Sequence, residues 1–166
     1  VAGINNLDMQ IEGNVVRPFT YTSLDGTTNY SAYNQPLAHP MGANFVELVG
    51  ILRYQPLKRV NIVAKAVATR IGLDDAKNNY GSNIFIPYTR AIVERPYGNY
   101  ITQGVTTNIA YAEMTLSYMA RHNLFLDLST MAREQFTDNA NARNRKNTYF
   151  VSIGLRYNFN PRTHEF

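Results

Sequence analysis

Three histidines, one pair of adjacent aspartates and a few strand serines are the residues of this sequence best suited to chemistry, and their spacing argues against it. His39, His122 and His164 lie far apart and lack partners at i+2 or i+4, so no zinc site is expected. Asp74-Asp75 could greet a cation, but the ligand spacing of a calcium loop does not follow them. There is no G-x-S-x-G elbow and no G-x-x-x-x-G-K-[ST] phosphate loop. Ser117 and Ser129 have no histidine at their own level, since His122 falls at one end of the strands and His39 at the other. With no Cys, thiolate chemistry and disulfides are absent as well. The expectation is a protein that is not an enzyme, with no metal and no cofactor.

What remains is chemistry of contact. Glu12, Glu47, Arg53, Lys65, Glu113, Asp127 and Arg156 each sit in mid-segment opposite apolar residues, which marks a polar face. They can line a pore or pair across strands as a ladder, and the ladder is the preferred reading. Tyr30, Tyr33, Tyr80, Tyr88, Tyr97 and Tyr100 fall between segments, where their rings can stack on sugars or pack loops together. His39, between Ala38 and Pro40, is read as a hydrogen-bonded pin for its loop in preference to a ligand.

The elements that must position these groups are strands. From Tyr149 to Phe159, one face carries Tyr149, Val151, Ile153, Leu155, Tyr157 and Phe159, and the other Phe150, Ser152, Gly154, Arg156 and Asn158. An apolar face with aromatics at both ends suits a strand between lipid and a wet lumen. The same period of two runs through Leu7–Val15, Phe45–Tyr54, Val60–Thr69, Ala110–Tyr118 and Leu124–Ala132. Ile84–Tyr88 and Ala91–Glu94 are weaker candidates for a further hairpin, in a region interrupted by Pro87 and Pro96.

Composition agrees. Hydrophobic residues make up 45% of the 166 and charged ones only 17%, with twelve Tyr and eight Phe. Disorder is excluded by that content. No apolar run reaches the roughly 18 residues of a transmembrane helix, while a mean hydropathy of -0.30 is compatible with alternating barrel strands. The net charge of +4 is scattered. Its one cluster, Arg143, Arg145 and Lys146, lies among asparagines without aromatics and reads as a solvated loop, so nucleic acid is not an expected partner.

Connections add a rhythm. Long segments at Pro18–Gly42, Gly72–Gln103 and Thr137–Asn147 alternate with tight turns at Gln55–Lys58 and Arg121–Asn123. Short turns on one side and extended loops on the other are the habit of outer-membrane barrels. The fold expected is therefore all-β: one antiparallel transmembrane β-barrel domain over residues 1–166, in meander order. Six strands leave two edges, which lipid does not tolerate, and single-chain bacterial barrels begin at about eight strands. The segment is accordingly expected to be the C-terminal portion of a larger outer-membrane barrel, any export signal lying ahead of Val1.

The stretches Arg17-Pro18-Phe19-Thr20-Tyr21 and Asn29-Tyr30-Ser31-Ala32-Tyr33-Asn34-Gln35-Pro36-Leu37-Ala38-His39-Pro40 resemble Bacteroidetes outer-membrane proteins of the Wzi-like capsule-assembly group, which has relatives in gliding motility. Met41-Gly42-Ala43-Asn44-Phe45, Asn79-Tyr80-Gly81-Ser82-Asn83-Ile84-Phe85, Arg121-His122-Asn123-Leu124-Phe125 and Ser152-Ile153-Gly154-Leu155-Arg156-Tyr157-Asn158 extend the resemblance from about residue 7 to the end. It implies a non-enzymatic barrel in the bacterial outer membrane that handles or anchors surface polysaccharide. The alternative is a structural, partner-binding subunit of a secretion, assembly or gliding-motility complex. Implied partners are the lipid bilayer, surface polysaccharide and other envelope proteins. The closing strand also resembles the signal by which assembly machinery recognises barrels, with Phe159 as its terminal aromatic and Phe166, beyond Pro161, as the other option.

Overall fold

The computed structural model describes residues 3–88, 97–139 and 142–159. In chain order the strands are β1 (Leu7–Val16), β2 (Ser31–Ala32), β3 (Gln35–Pro36), β4 (Phe45–Leu57), β5 (Val60–Leu73), β6 (Val105–Arg121), β7 (Leu124–Asn139) and β8 (Ala142–Tyr157). The protein is all-β. Its six long strands make one antiparallel sheet in the order β1-β4-β5-β6-β7-β8, and β2 pairs only with β3. Each long strand lies beside the next long strand in sequence, a meander. Among the described residues β1 and β8 are edges and do not pair with one another, so these six strands form an open sheet and not a closed barrel.

The six principal expected strands are present, and most run further than their apolar stretch. The largest difference concerns Thr137–Asn147, expected as a long loop. There the ladder continues to Asn139↔Ala142, so the two strands pair to within two residues of each other in the chain, and Arg143, Arg145 and Lys146 belong to β8 and not to a solvated loop. The reason is that backbone pairing does not require an apolar face. Where both faces of a hairpin are polar, the period of two vanishes from the sequence while the hydrogen bonds persist. Cross-strand charge supports this end, with Arg145 Nη2 2.8 Å from Glu134 Oε1. At the other end of the sheet the turns are as tight as expected: Lys58–Arg59 joins β4 to β5, and His122–Asn123, with Asn123 in the left-handed region, joins β6 to β7.

Ile84–Tyr88 forms turns and no strand, held by Asn83 whose carbonyl and side chain accept from Ile86 and Phe85. Ala91–Glu94, His164, Pro161 and Phe166 lie outside the described residues. β8 ends at Tyr157, two residues before its expected end. Phe159 then packs edge-on to Tyr157, their ring centroids 4.7 Å apart.

The buried core lies at one end only. Ala43, Phe45, Val49, Ile71 and Ile84 are its hydrophobic members, joined by buried Asn44, Thr69, Asn79, Gln103 and Thr107. Two long connections, residues 17–44 and 74–104, meet there over the ends of β4, β5 and β6. Asn44 is the joint. Its side-chain amide donates to the carbonyls of Gly72 (2.7 Å) and Gln103 (2.9 Å) and accepts from the Thr102 amide (2.7 Å). Those bonds hold Thr102 at φ +65, a costly conformation for a β-branched residue.

Candidate functional site

Register turns strand periodicity into two faces. Leu7, Tyr54, Ile62, Leu116, Leu128 and Ile153 stand in one row across the sheet. Met9, Leu52, Ala64, Met114, Thr130 and Val151 make the next, and Ile11, Gly50, Ala66, Ala112, Ala132 and Tyr149 the third. Apart from the aromatics Tyr54 and Tyr149, the three rows across six strands thus hold one polar side chain, Thr130. Towards the long connections the same face turns polar at Arg70, Asn108, Glu134, Arg145 and Asn147; towards the tight turns it ends on Tyr118 and Tyr157. No other part of the described chain covers these rows. Ile153 is 82% exposed and Ile11 71%.

The opposite face gathers Glu12, Glu47, Arg53, Lys65, Glu113, Asp127 and Arg156. Arg53 Nη1 bonds Asp8 Oδ2 at 3.1 Å, and both its terminal nitrogens reach Gln10. Arg156 forks onto Asp127 (2.8 and 3.3 Å) and lies over the Phe125 ring, 4.3 Å from its centroid. Glu113 accepts from the Tyr111 hydroxyl and Glu12 from the Gln10 amide. Lys65, facing Ile51 and Glu113 across its neighbouring strands, has no side-chain partner among the described residues. Among the described residues the charged groups of the polar face form local pairs, with the ammonium of Lys65 outside them.

At the end where the long connections meet, Glu47 is 9% exposed and accepts from three groups. Asn14 donates at 3.0 Å, Thr69 at 3.3 Å, and His39 Nε2 stands 3.1 Å away. The other ring nitrogen of His39, Nδ1, accepts the Met41 amide at 3.2 Å, which assigns the proton to Nε2. His39 also lies against Phe45, its ring centroid 4.5 Å away. This imidazole ties the first long connection to the sheet. In the second, Asp75 accepts amide protons from Lys77 and Asn78, each at 2.7 Å, and these hold its carboxyl below its ordinary pKa.

The tyrosines divide. Tyr80 bonds Asp75 through its hydroxyl and stands where a side chain on Gly104 would fall, and Tyr88 meets Phe19 edge-on at 5.0 Å. These two pack connections together. Tyr30, stacked on Tyr21 at 5.9 Å, is about half exposed, and Tyr97 and Tyr100 are open to solvent. Tyr33 is 99% exposed at the tip of the β2–β3 hairpin, where Tyr33 and Asn34 both have positive φ. That geometry is a type I′ turn, which usually asks for Asn-Gly. An aromatic there is strained and fully displayed.

Sequence reasoning passed over Asn14, Thr69 and Asn44, which complete the Glu47 and Thr102 networks, and Arg17 at the end of β1. Asn14 and Thr69 were legible as polar-face residues from the same alternation. Nothing in the order of residues marked Asn44 as a joint between segments far apart in the chain. Among the described residues no three His, Asp or Glu side chains gather to hold a metal ion. Comparison with family models, with curated proteins and with solved structures gives no match.

Proposed function

We propose that this chain forms part of the wall of an outer-membrane β-barrel, a non-enzymatic Wzi-like protein that handles or anchors surface polysaccharide. The observation that carries the reading is the run of three apolar rows across six strands, uncovered by the described chain. A soluble protein rarely exposes a continuous apolar area of this extent. On β8 the apolar face spans Tyr149 to Tyr157, about 27 Å along the strand at ~3.4 Å per residue, which tilting lowers towards the ~25 Å of a barrel's lipid-facing band. Tyr118 and Tyr157 bound it at the tight-turn end and Tyr149 at the other, as interfacial aromatics do. In this reading the polar face lines the lumen, the tight turns face the periplasm, and the long connections fold over the outer mouth with Tyr33, Tyr97 and Tyr100 towards the surface. Exposed aromatic faces there suit contact with sugar rings.

Nitroxide labels at Val151, Ile153 and Leu155 should be reached by lipid-soluble oxygen and shielded from aqueous nickel reagents, with the reverse at Ser152 and Gly154. The opposite pattern would reject the wall.

A second reading, a partner-binding subunit of a secretion, assembly or gliding-motility complex, draws on one observation. The backbone edge of β8, 16 residues long, has no strand beside it among the described residues, and such edges recruit strands. A deletion strain should lose surface polysaccharide with its envelope complexes intact. Co-purification at fixed ratio with other barrel proteins, and unchanged polysaccharide, would select the second reading instead.

A further inference from the structure

A cleft of about 390 Å³ opens where the start of the first long connection meets the second, walled by Arg17, Phe19, Tyr88, Tyr97 and Asn99. That volume lies within the ordinary range of small-molecule sites, about 300–1,000 Å³. We infer that this cleft is a binding subsite for a carboxylate-bearing sugar, a uronic acid unit of a surface polysaccharide. The inference rests on the polysaccharide reading above and adds to it a residue set and a charge.

The charge comes from Arg17. Among the described residues its guanidinium is the one charged group that lines the cleft, and it has no hydrogen-bond or ion-pair partner there. A planar cation left unpaired beside aromatic walls is suited to a carboxylate, which it takes through two parallel hydrogen bonds. The stacking surface comes from Tyr97, 82% exposed although it lines the cleft. Its ring offers a flat apolar face with a hydroxyl at the rim, which matches a pyranose with one C–H face and hydroxyls around its edge.

Backbone geometry holds the walls in place before any ligand arrives. Phe19 has φ +61, an outlier for an aromatic residue. It is kept there by its amide on the Gly81 carbonyl (3.1 Å) and by the Thr22 amide and hydroxyl on its own carbonyl. A side chain at Gly81 would meet the Phe19 nitrogen at 2.5 Å, so the contact depends on glycine. Strain stored beside an open cleft is a mark of binding sites. The cleft is compact and walled by side chains, and no strand edge among the described residues lines it, which disfavours an extended acidic peptide.

The test uses the whole protein in detergent micelles, with an oligogalacturonate, a neutral maltohexaose and a poly-glutamate peptide as probes, by calorimetry and saturation-transfer NMR. Oligogalacturonate should bind more tightly than maltohexaose. Arg17→Gln should weaken it roughly tenfold to a hundredfold, the scale of losing hydrogen bonds to a charged group, and Arg17→Lys should restore part of the loss. Tyr97→Ala should weaken it too, and both variants should keep the thermal unfolding of the parent. Oligogalacturonate binding that ignores Arg17→Gln, or no binding at all, overturns the subsite. Poly-glutamate binding equally well through Arg17 overturns the sugar assignment. The nitroxide pattern at positions 151–155 is read separately, so failure here with that pattern intact removes the subsite and leaves the barrel.

Discussion

Arginine in place of Ile153 should cost about 2–4 kcal/mol of folding free energy in a bilayer, the penalty for a cation near the middle of a barrel's lipid face. Ile153 sits centrally on the apolar side of β8, in register with Leu128, and is covered by nothing in the described chain. If lipid is its solvent, a guanidinium there must either lose its hydration or drag water and headgroups inward. Lysine in place of Gly154, the next residue, should be tolerated. A side chain built at Gly154 meets nothing within 4 Å, and the site lies on the polar face opposite Asp127. The pair isolates the face, because both variants add one positive charge to one strand one residue apart. Urea unfolding of protein refolded into lipid vesicles, followed by the heat-dependent gel shift of folded barrels, gives both numbers. Equal cost at the two positions would mean that both faces see the same solvent, and the wall would be abandoned.

Gly72→Ala is expected to destabilise the protein by about 3–5 kcal/mol, combining overpacking with broken buried hydrogen bonds. A methyl at Gly72 would lie 1.8 Å from the Gln103 carbonyl oxygen and 2.6 Å from the Asn44 side-chain nitrogen. The first obstacle is backbone and cannot swing aside, so the second long connection must lift away from β5. Asn44→Ala attacks the same joint by removal. It strands the Gly72 and Gln103 carbonyls and the Thr102 amide in a buried place and frees Thr102 from its strained φ, at about 2–4 kcal/mol. Gly50→Ala is the comparison, since its new methyl meets nothing within 4 Å and should change stability by no more than about 0.5 kcal/mol. Hydrogen exchange should show amides of residues 99–104 opening in the first two variants while β7 and β8 stay protected. Protection of residues 99–104 equal to the parent's would remove Asn44 from its place as the joint.

Much of this was legible before any coordinates. Alternation between Tyr149 and Phe159 places five exposed residues of β8 on one side, and the same period located the other five long strands, although β6 and β7 run well past their apolar stretches. It failed at Thr137–Asn147, where Arg145 and Glu134 meet across a hairpin whose two sides are both polar, leaving no contrast to read. It failed again in the long connections. Tyr33 and Tyr80 look alike in sequence, yet one stands at a hairpin tip and the other is held by Asp75 against Gly104.

The sequence by itself determined that this is an antiparallel all-β chain with one apolar and one polar face, because strand geometry sends neighbouring side chains to opposite sides and that rule is local. Tertiary structure alone decided which polar groups meet: Glu47 with His39, Asn14 and Thr69, Asn44 with Gly72, Thr102 and Gln103, and Arg17 with an aromatic cleft that holds no counter-ion among the described residues. Asn14 and Thr69 stand level with Glu47 on neighbouring strands, a pairing register that alternation alone leaves open. The His39 and Asn44 contacts, up to 59 positions apart, come through irregular backbone, where no period links position in the chain to position in space.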